Sequence, residues 1–357
     1  MEFADLVTWL PCTGQWIAAM LAMAFGMWVL TKSADIFVEG AVALATRLKM
    51  PALLVGFIIV GFGTSAPEML VSVLAAAQGS TPLSLGNAYG SNITNILLIL
   101  GVSMLVAPIV LHRAALRRDV PFLLGIIALL FVLGLNGFSR LDGAFLVVVF
   151  LAFLGWQIGM VFCQRKSDAD KTEDAVSQDA EKSMGVILLQ TFGGLGLLLL
   201  SSQILVSAAC FMANRAAAAV GITPEAAELI VGVTIVALGT SLPELMASVA
   251  AMRHGQPDIA LGNVVGSNCF NICIVAGLAL IVRPLEIEGA PMALIVRDPL
   301  IMLGTTFLLA CCGWGAWALL NHRGKRGEAI TLTRWWGVLY IVLWIVYTLI
   351  AVCCTRG

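Results

Sequence analysis

The sequence predicts an all-α polytopic membrane protein: ten transmembrane helices arranged as two inverted five-helix repeats, with broken helices at a shared ion site. Three observations carry that expectation. Apolar residues make up 60% of the 357-residue chain and charged residues 11%, with a mean hydropathy of +0.98; soluble domains hold roughly 45–50% and 25%. A 46-residue segment occurs twice, 56–101 and 232–277, and 21 of its 46 positions are identical without gaps. The basic residues, finally, are divided unequally between alternate loops.

Ten apolar runs are long enough to span a bilayer: 16–38, 52–77, 83–107, 120–137, 141–163, 185–212, 226–251, 258–282, 298–320 and 334–354. The polar stretch 164–183 divides them into a first five-helix repeat, 1–163, and a second, 184–357, and its composition suits a flexible linker. With the N-terminus outside, cytoplasmic loops hold fourteen Lys and Arg residues against five outside. This places the central linker in the cytoplasm and both termini outside, in the cell (inner) membrane. The first copy of the repeat falls in the second span and the other in the seventh. Five spans apart, the copies cross the bilayer in opposite directions.

Other classes find little support. The net charge of −1 identifies no partner, and membrane lipid rather than nucleic acid is the expected surroundings. None of the nine cysteines forms a CxxC pair, and Cys269 and Cys273, on one helical face, have no nearby histidine. An HExxH motif is absent and no nucleophile–base pair stands out, so an enzyme is not expected, nor a resident cofactor. The first lysine is Lys32, which argues against a cleaved signal peptide.

The chemistry lies in the repeat. Each copy carries one glutamate among small hydroxyl and amide side chains: GTSAPE with GNAYGSNITN, and GTSLPE with GNVVGSNCFN. A charge at the bilayer centre costs about 2.5–3.5 kcal/mol even on a lenient insertion scale, and such residues are usually functional. Neither copy holds a Lys or Arg before Arg253, so Glu68 and Glu244 lack a cationic partner in their own segments. Pro67 and Pro243 have no N–H, which frees the carbonyls of Gly63 and Gly239, and Pro67 disfavours helical geometry at Ala66. A discontinuous helix follows in each copy, whose freed carbonyls need a polar partner that a cation can supply. Thr64 and Glu68, Thr240 and Glu244, Ser91 and Asn95, and Ser267 and Asn271 are each four residues apart and share a helical face. Together they form an all-oxygen set suited to hard cations such as Ca²⁺ or Na⁺.

Plainer readings apply to the rest. Gly86, Gly90, Gly262 and Gly266 read as close-packing positions. Asn87, Asn92, Asn263 and Asn268 either bridge helices or bind ions. Asp35 and Glu39 line an access path or form a local ion pair, the latter being favoured, and Glu228 at the start of the seventh span is assigned no ion.

These motifs, in two copies at fixed spacing, resemble the cation/calcium exchanger superfamily, whose bacterial members include compact sodium/calcium exchangers. The resemblance implies Ca²⁺ bound between four core helices and alternately exposed to either side, exchanged for Na⁺ as the transported counter-ion. The carboxylate ligands it implies are Glu68 and Glu244. Thr64, Ser65, Thr240, Ser241, Ser91, Ser267 and Asn95 match its other ion-site positions, as do backbone carbonyls near Gly61 and Ala237. Some members carry Asp where this chain has Asn271, so both Asn95 and Asn271 are neutral here. The choice between Na⁺ and H⁺ as counter-ion therefore stays open, and a Ca²⁺/H⁺ antiporter or a cation channel are the other readings.

The topology is testable by labelling. In a background freed of reactive thiols, cysteines at the Arg47–Lys49 turn and in the 164–183 stretch should react from the cytoplasm. Those near Gly79 and Gly289 should react from outside. Labelling of Gly79 and the linker from one side would overturn the arrangement.

Overall fold

A computed structural model describes residues 12–113, 115–168, 183–219, 237–286, 292–322 and 330–354. The expected first half of the seventh span (with Glu228), most of the central linker, and Gly289 lie outside them. The chain runs α1 (Cys12–Arg47), α2 (Ala52–Thr64), α3 (Ala66–Ala77), α4 (Thr81–Val106), β1 (Ile109–Leu111), α5 (Val120–Gly134) and α6 (Arg140–Asp168). It continues with α7 (Met184–Ala216), α8 (Ala237–Thr240), α9 (Leu242–Arg253), α10 (Pro257–Val282), α11 (Asp298–His322), β2 (Ile330–Leu332) and α12 (Arg334–Cys354). Among the described residues six helices are long and apolar enough to cross a bilayer, or seven spans if the bent pair α2–α3 counts as one.

The centre is a crossing of α4 and α10, the third and eighth apolar runs of the sequence. Each has 26 residues, about 39 Å at 1.5 Å per residue. Contacts at both ends fix their relative direction. Thr81 at the start of α4 donates its hydroxyl to the Arg283 carbonyl just past the end of α10, at 3.2 Å. His112, beyond the end of α4, lies 3.0 Å from Asp258 at the start of α10. The two helices are antiparallel, although α10 is the second copy of α4.

Small residues allow this crowding. A methyl group on Gly262 would lie 2.3 Å from the Leu53 carbonyl oxygen, and one on Gly266 2.4 Å from that of Phe57, so α10 touches the backbone of α2 at both. The close-packing reading therefore holds for Gly262 and Gly266. It does not extend to Gly90, where no described atom lies within 4 Å of the same position.

Each half completes the other. A methyl on Gly337 of α12 would sit 2.6 Å from the Gly101 carbonyl of α4, and one on Gly143 of α6 2.5 Å from the Gly277 carbonyl of α10. Gly101 and Gly277 are repeat-equivalent, 176 residues apart. Two short extended contacts continue the exchange: β1 pairs antiparallel with β2, with Ile109 opposite Leu332, and Phe138 pairs with Leu285. Leu285 lies 176 residues after Ile109. Outside this core α1 packs along α7, with Gly40 against the Thr191 backbone and Gly194 against that of Phe37. Their outer faces leave Leu21, Phe25, Trp28, Leu189 and Phe192 exposed, as lipid contact requires.

Asp35 of α1 pairs with Arg253 at 3.7 Å and His254 at 3.5 Å, at the end of α9. The ion pair expected within α1 is thus replaced by one between helices, because antiparallel α7 and the end of α9 enclose that face of α1.

The glycine contacts predict a stability effect. Gly266→Leu should destabilise the purified protein by about 1–3 kcal/mol, the cost of the side-chain and backbone shifts that overpacking forces. Gly90→Ala should change little, and thermal unfolding in detergent compares the two.

Candidate functional site

The two breaks are near-copies in shape. Ser65 has φ −82° and ψ 4°, and Ser241 φ −89° and ψ 4°, in the bridge region between helical and extended backbone. Helix resumes at once, with Pro67 and Pro243 in the first turns of α3 and α9. The break falls at Ser65, one residue before the position expected from Pro67. In the first turn of a new helix the missing N–H has no partner to lose, so proline is accommodated and the deviation moves upstream. The axis bends by 46° between α2 and α3.

Restarting the helix there sets the carboxylates. Glu68 and Glu244 occupy the first turns of α3 and α9, where unpaired N–H groups and the helix dipole favour negative charge. Ser-x-x-Glu is also the pattern of a local capping box, but neither serine caps its own helix. The Ser65 hydroxyl donates instead to Glu244 Oε1 at 3.0 Å, and the Ser241 hydroxyl faces Glu68 Oε1 at 3.5 Å. Thr64 and Thr240 also interact with the carboxylate of the opposite copy. The serines have been exchanged between the repeats, and the exchange draws both glutamates to one locus.

Both carboxylates are buried, and among the described residues the second oxygen of each has no hydrogen-bond partner. Among the described residues neither forms an ion pair. A buried, unpaired charge is strongly unfavourable, so these groups need a counter-charge or a proton.

The asparagines divide by role. Asn263 donates from Nδ2 to the Glu244 carbonyl at 3.1 Å and to Ser248 Oγ at 2.8 Å. Asn87 makes the equivalent contacts with the Glu68 carbonyl at 3.5 Å and Ser72 Oγ at 3.0 Å. Asn268 reaches the Asn92 carbonyl across the α4–α10 crossing at 3.2 Å. These three bridge helices. Asn95 and Asn271 differ: both are buried, and among the described residues neither the nitrogen nor the oxygen of either amide has a partner. Each opens a widened π-helical turn, Asn95–Ile99 in α4 and Asn271–Ala276 in α10. Such turns are frequent at functional sites, because the extra residue reorients side chains.

The sequence-derived set is largely drawn together. Ser267 donates to the Gly61 carbonyl at 3.2 Å, and Thr64 reaches Asn263 Oδ1 at 3.2 Å, so the first broken helix and α10 share one polar locus. Ser91 is buried on α4 one turn before Asn95. Ala237 opens α8, and its side chain lies outside the described residues. The Gly239 carbonyl, freed by Pro243, accepts the Ser202 hydroxyl of α7 at 3.1 Å, so a side chain supplies one of the polar partners that carbonyl needs. Nothing local to the repeat signals Ser202, which comes from another helix. The role of Asn263 was visible only as one of two open readings. Among the described residues no three His, Cys, Asp or Glu side chains gather. The donors are hydroxyls, amides and carbonyls around two carboxylates, a hard-cation set.

Comparison with known proteins agrees in kind. A sequence model described as sodium/calcium exchanger protein matches residues 18–159 and 184–353. The putative antiporter CaxA of Alkalimonas amylolytica is 37% identical over 298 residues, covering 82% of this chain and 89% of that protein. The inner membrane protein YrbG of Escherichia coli is 34% identical, covering 91% and 97%, and the sodium/calcium exchanger MaX1 of Methanosarcina acetivorans 29%, covering 90% and 97%. A solved structure of the sodium-calcium exchanger NCX_Mj superposes with a TM-score of 0.72 at 27% identity, covering 92% of this chain and 97% of that one.

The Ser202 contact yields a prediction. Ser202→Ala leaves the Gly239 carbonyl buried without its hydroxyl partner and should cost about 1–3 kcal/mol. Thermal unfolding of purified protein measures it, and an unchanged midpoint would show that the carbonyl has another partner.

Proposed function

The chain belongs to the sodium/calcium exchanger protein family, and from that premise we propose that it exchanges Ca²⁺ for Na⁺ by alternating access at one site between its repeats. Membership makes it a membrane antiporter rather than an enzyme. The ions, the site and the path of exchange are the proposal. The observation that carries it is the pair of buried carboxylates, each held by a serine of the opposite copy and neither, among the described residues, paired with a cationic side chain.

Two carboxylates carry −2, which one Ca²⁺ or two Na⁺ balance. Occupancy of one neutralised site by either cation is the physical basis of exchange, since an empty pair is costly to bury. Glu68, Glu244, Thr64, Ser65, Thr240, Ser241, Ser91, Ser267, Asn95 and Asn271, with the carbonyls of Gly61 and Ala237, are the proposed ligands. The antiparallel course of α4 and α10 supports ten crossings in two inverted halves, divided at 164–183, with both termini outside. YrbG is named an inner membrane protein, and the same membrane is proposed for this chain. A Ca²⁺/H⁺ antiporter is the second reading. It is favoured by the unpartnered oxygens of Glu68 and Glu244, which are free to take protons.

Vesicle flux separates the readings. Ca²⁺ uptake by purified protein in liposomes should follow an imposed Na⁺ gradient and ignore K⁺ and H⁺ gradients imposed alone. Uptake driven only by H⁺ would establish the second reading, and flux with no counter-ion gradient a channel. Glu68→Gln and Glu244→Gln each remove one of the two charges and should nearly abolish Ca²⁺ flux while leaving insertion intact. Wild-type flux in both would remove the carboxylates from the site.

A further inference from the structure

Thr64 and Ser267 raise a question of proton placement. A hydroxyl coordinates a cation through its lone pairs, so its proton must go elsewhere. Besides the Glu244 carboxylate, the Thr64 hydroxyl has two acceptors in reach, the Val60 carbonyl at 3.0 Å and Asn263 Oδ1 at 3.2 Å. Ser267 likewise has two, the Gly61 carbonyl at 3.2 Å and Asn263 Oδ1 at 3.4 Å. Gly61 is itself a proposed ligand, and its carbonyl also accepts the Ser65 N–H at 3.2 Å. For that carbonyl to turn toward a cation, the Ser267 proton needs another acceptor. Asn263 Oδ1 is the one in reach.

The other end of Asn263 fixes its orientation. Nδ2 faces the Glu244 carbonyl, which can only accept, so the reversed amide would set oxygen against oxygen there, whereas Ser248, Thr64 and Ser267 are hydroxyls that suit either orientation. Asn263 is fully buried, as are Thr64, Ser267 and Ser248. We infer that Asn263 is a positioning residue for cation selection: it takes the protons of Thr64 and Ser267 so that their lone pairs and the Gly61 carbonyl face the ion, while its amide nitrogen holds the backbone of Glu244. One side chain thereby links hydroxyls from both repeats to the backbone of one of the two glutamates. Partners of this kind, one layer behind the ligands, set ligand direction and tune affinity.

The inference rests on the proposed site, and the test separates the two. The readout is half-saturating Ca²⁺, and separately Na⁺, for the purified protein, with the thermal midpoint recorded without cations. Asn263→Ala should raise half-saturating Ca²⁺ by about 10–100-fold. Combined with Thr64→Ala and Ser267→Ala, it should fall at least ~3-fold short of the product of the separate effects, because residues acting through one network are not additive. A full product means that Asn263 acts independently, and overturns the inference while leaving the site intact. Asn263→Asp decides the matter if alanine does not fold. It sets a carboxylate against the Glu244 carbonyl and should weaken Ca²⁺ binding; tighter binding would make residue 263 a direct ligand and overturn the positioning role. A wild-type protein that binds neither cation removes the site and this inference together.

Discussion

Everything in the core answers to one electrostatic constraint: two carboxylates lie in the buried centre of the protein, and among the described residues no basic side chain pairs with them. In a low-dielectric interior such a pair survives only with dense local polarity. The fold supplies that polarity in three ways. The helix breaks place each glutamate at a helix start, where backbone N–H groups are unpaired. The opposite copy contributes a serine to each. Asn87 and Asn263 tie the glutamate backbones to α4 and α10. The glycines of α10 serve the same end, since only a backbone-to-backbone approach to α2 brings Ser267 within reach of Gly61.

Much of this was legible in the chain, and the limits are physical. Repetition, proline and glutamate are local signals, so the broken helices and the paired carboxylates could be read directly. The exact break was misplaced by one residue, because the rule for residues preceding proline yields at a helix start. Ser202 was invisible because its partner is a backbone carbonyl on a helix distant in sequence. The asparagines could not be sorted by type, since only geometry separates Asn263, with every polar atom engaged, from Asn271, with none. The crossed serines had a competing local reading as helix caps, and only the relation between the copies decides against it.

The two copies share a pattern and differ in detail. Asp35, paired with Arg253 and His254, has no charged counterpart at Gln203, the position aligned with it in the second half. His112 pairs with Asp258, whereas Pro82 stands at the repeat-equivalent position of that aspartate. Among the described residues these three contacts between helices lie at one end of the molecule, where α4 ends and α10 begins. At the opposite end Thr81 meets a backbone carbonyl. A shared site can be approached from two directions by similar backbones and still meet unlike electrostatics on the two sides.

The mutual packing of the halves also bears on biosynthesis. Gly101 of α4 is covered by Gly337 of α12, and Glu68 is faced by Ser241, both supplied by the part of the chain made last. A ribosome that has delivered the first repeat has therefore delivered a carboxylate without its serine and a helix without its cover. The nascent first half must hold an unsatisfied carboxylate until α9 emerges, and an uncovered α4 until α12 does. Interruption before Ser241 therefore leaves the carboxylate without its serine, and interruption before α12 leaves the Gly101 face of α4 bare, so an incomplete chain exposes surfaces that the complete one buries.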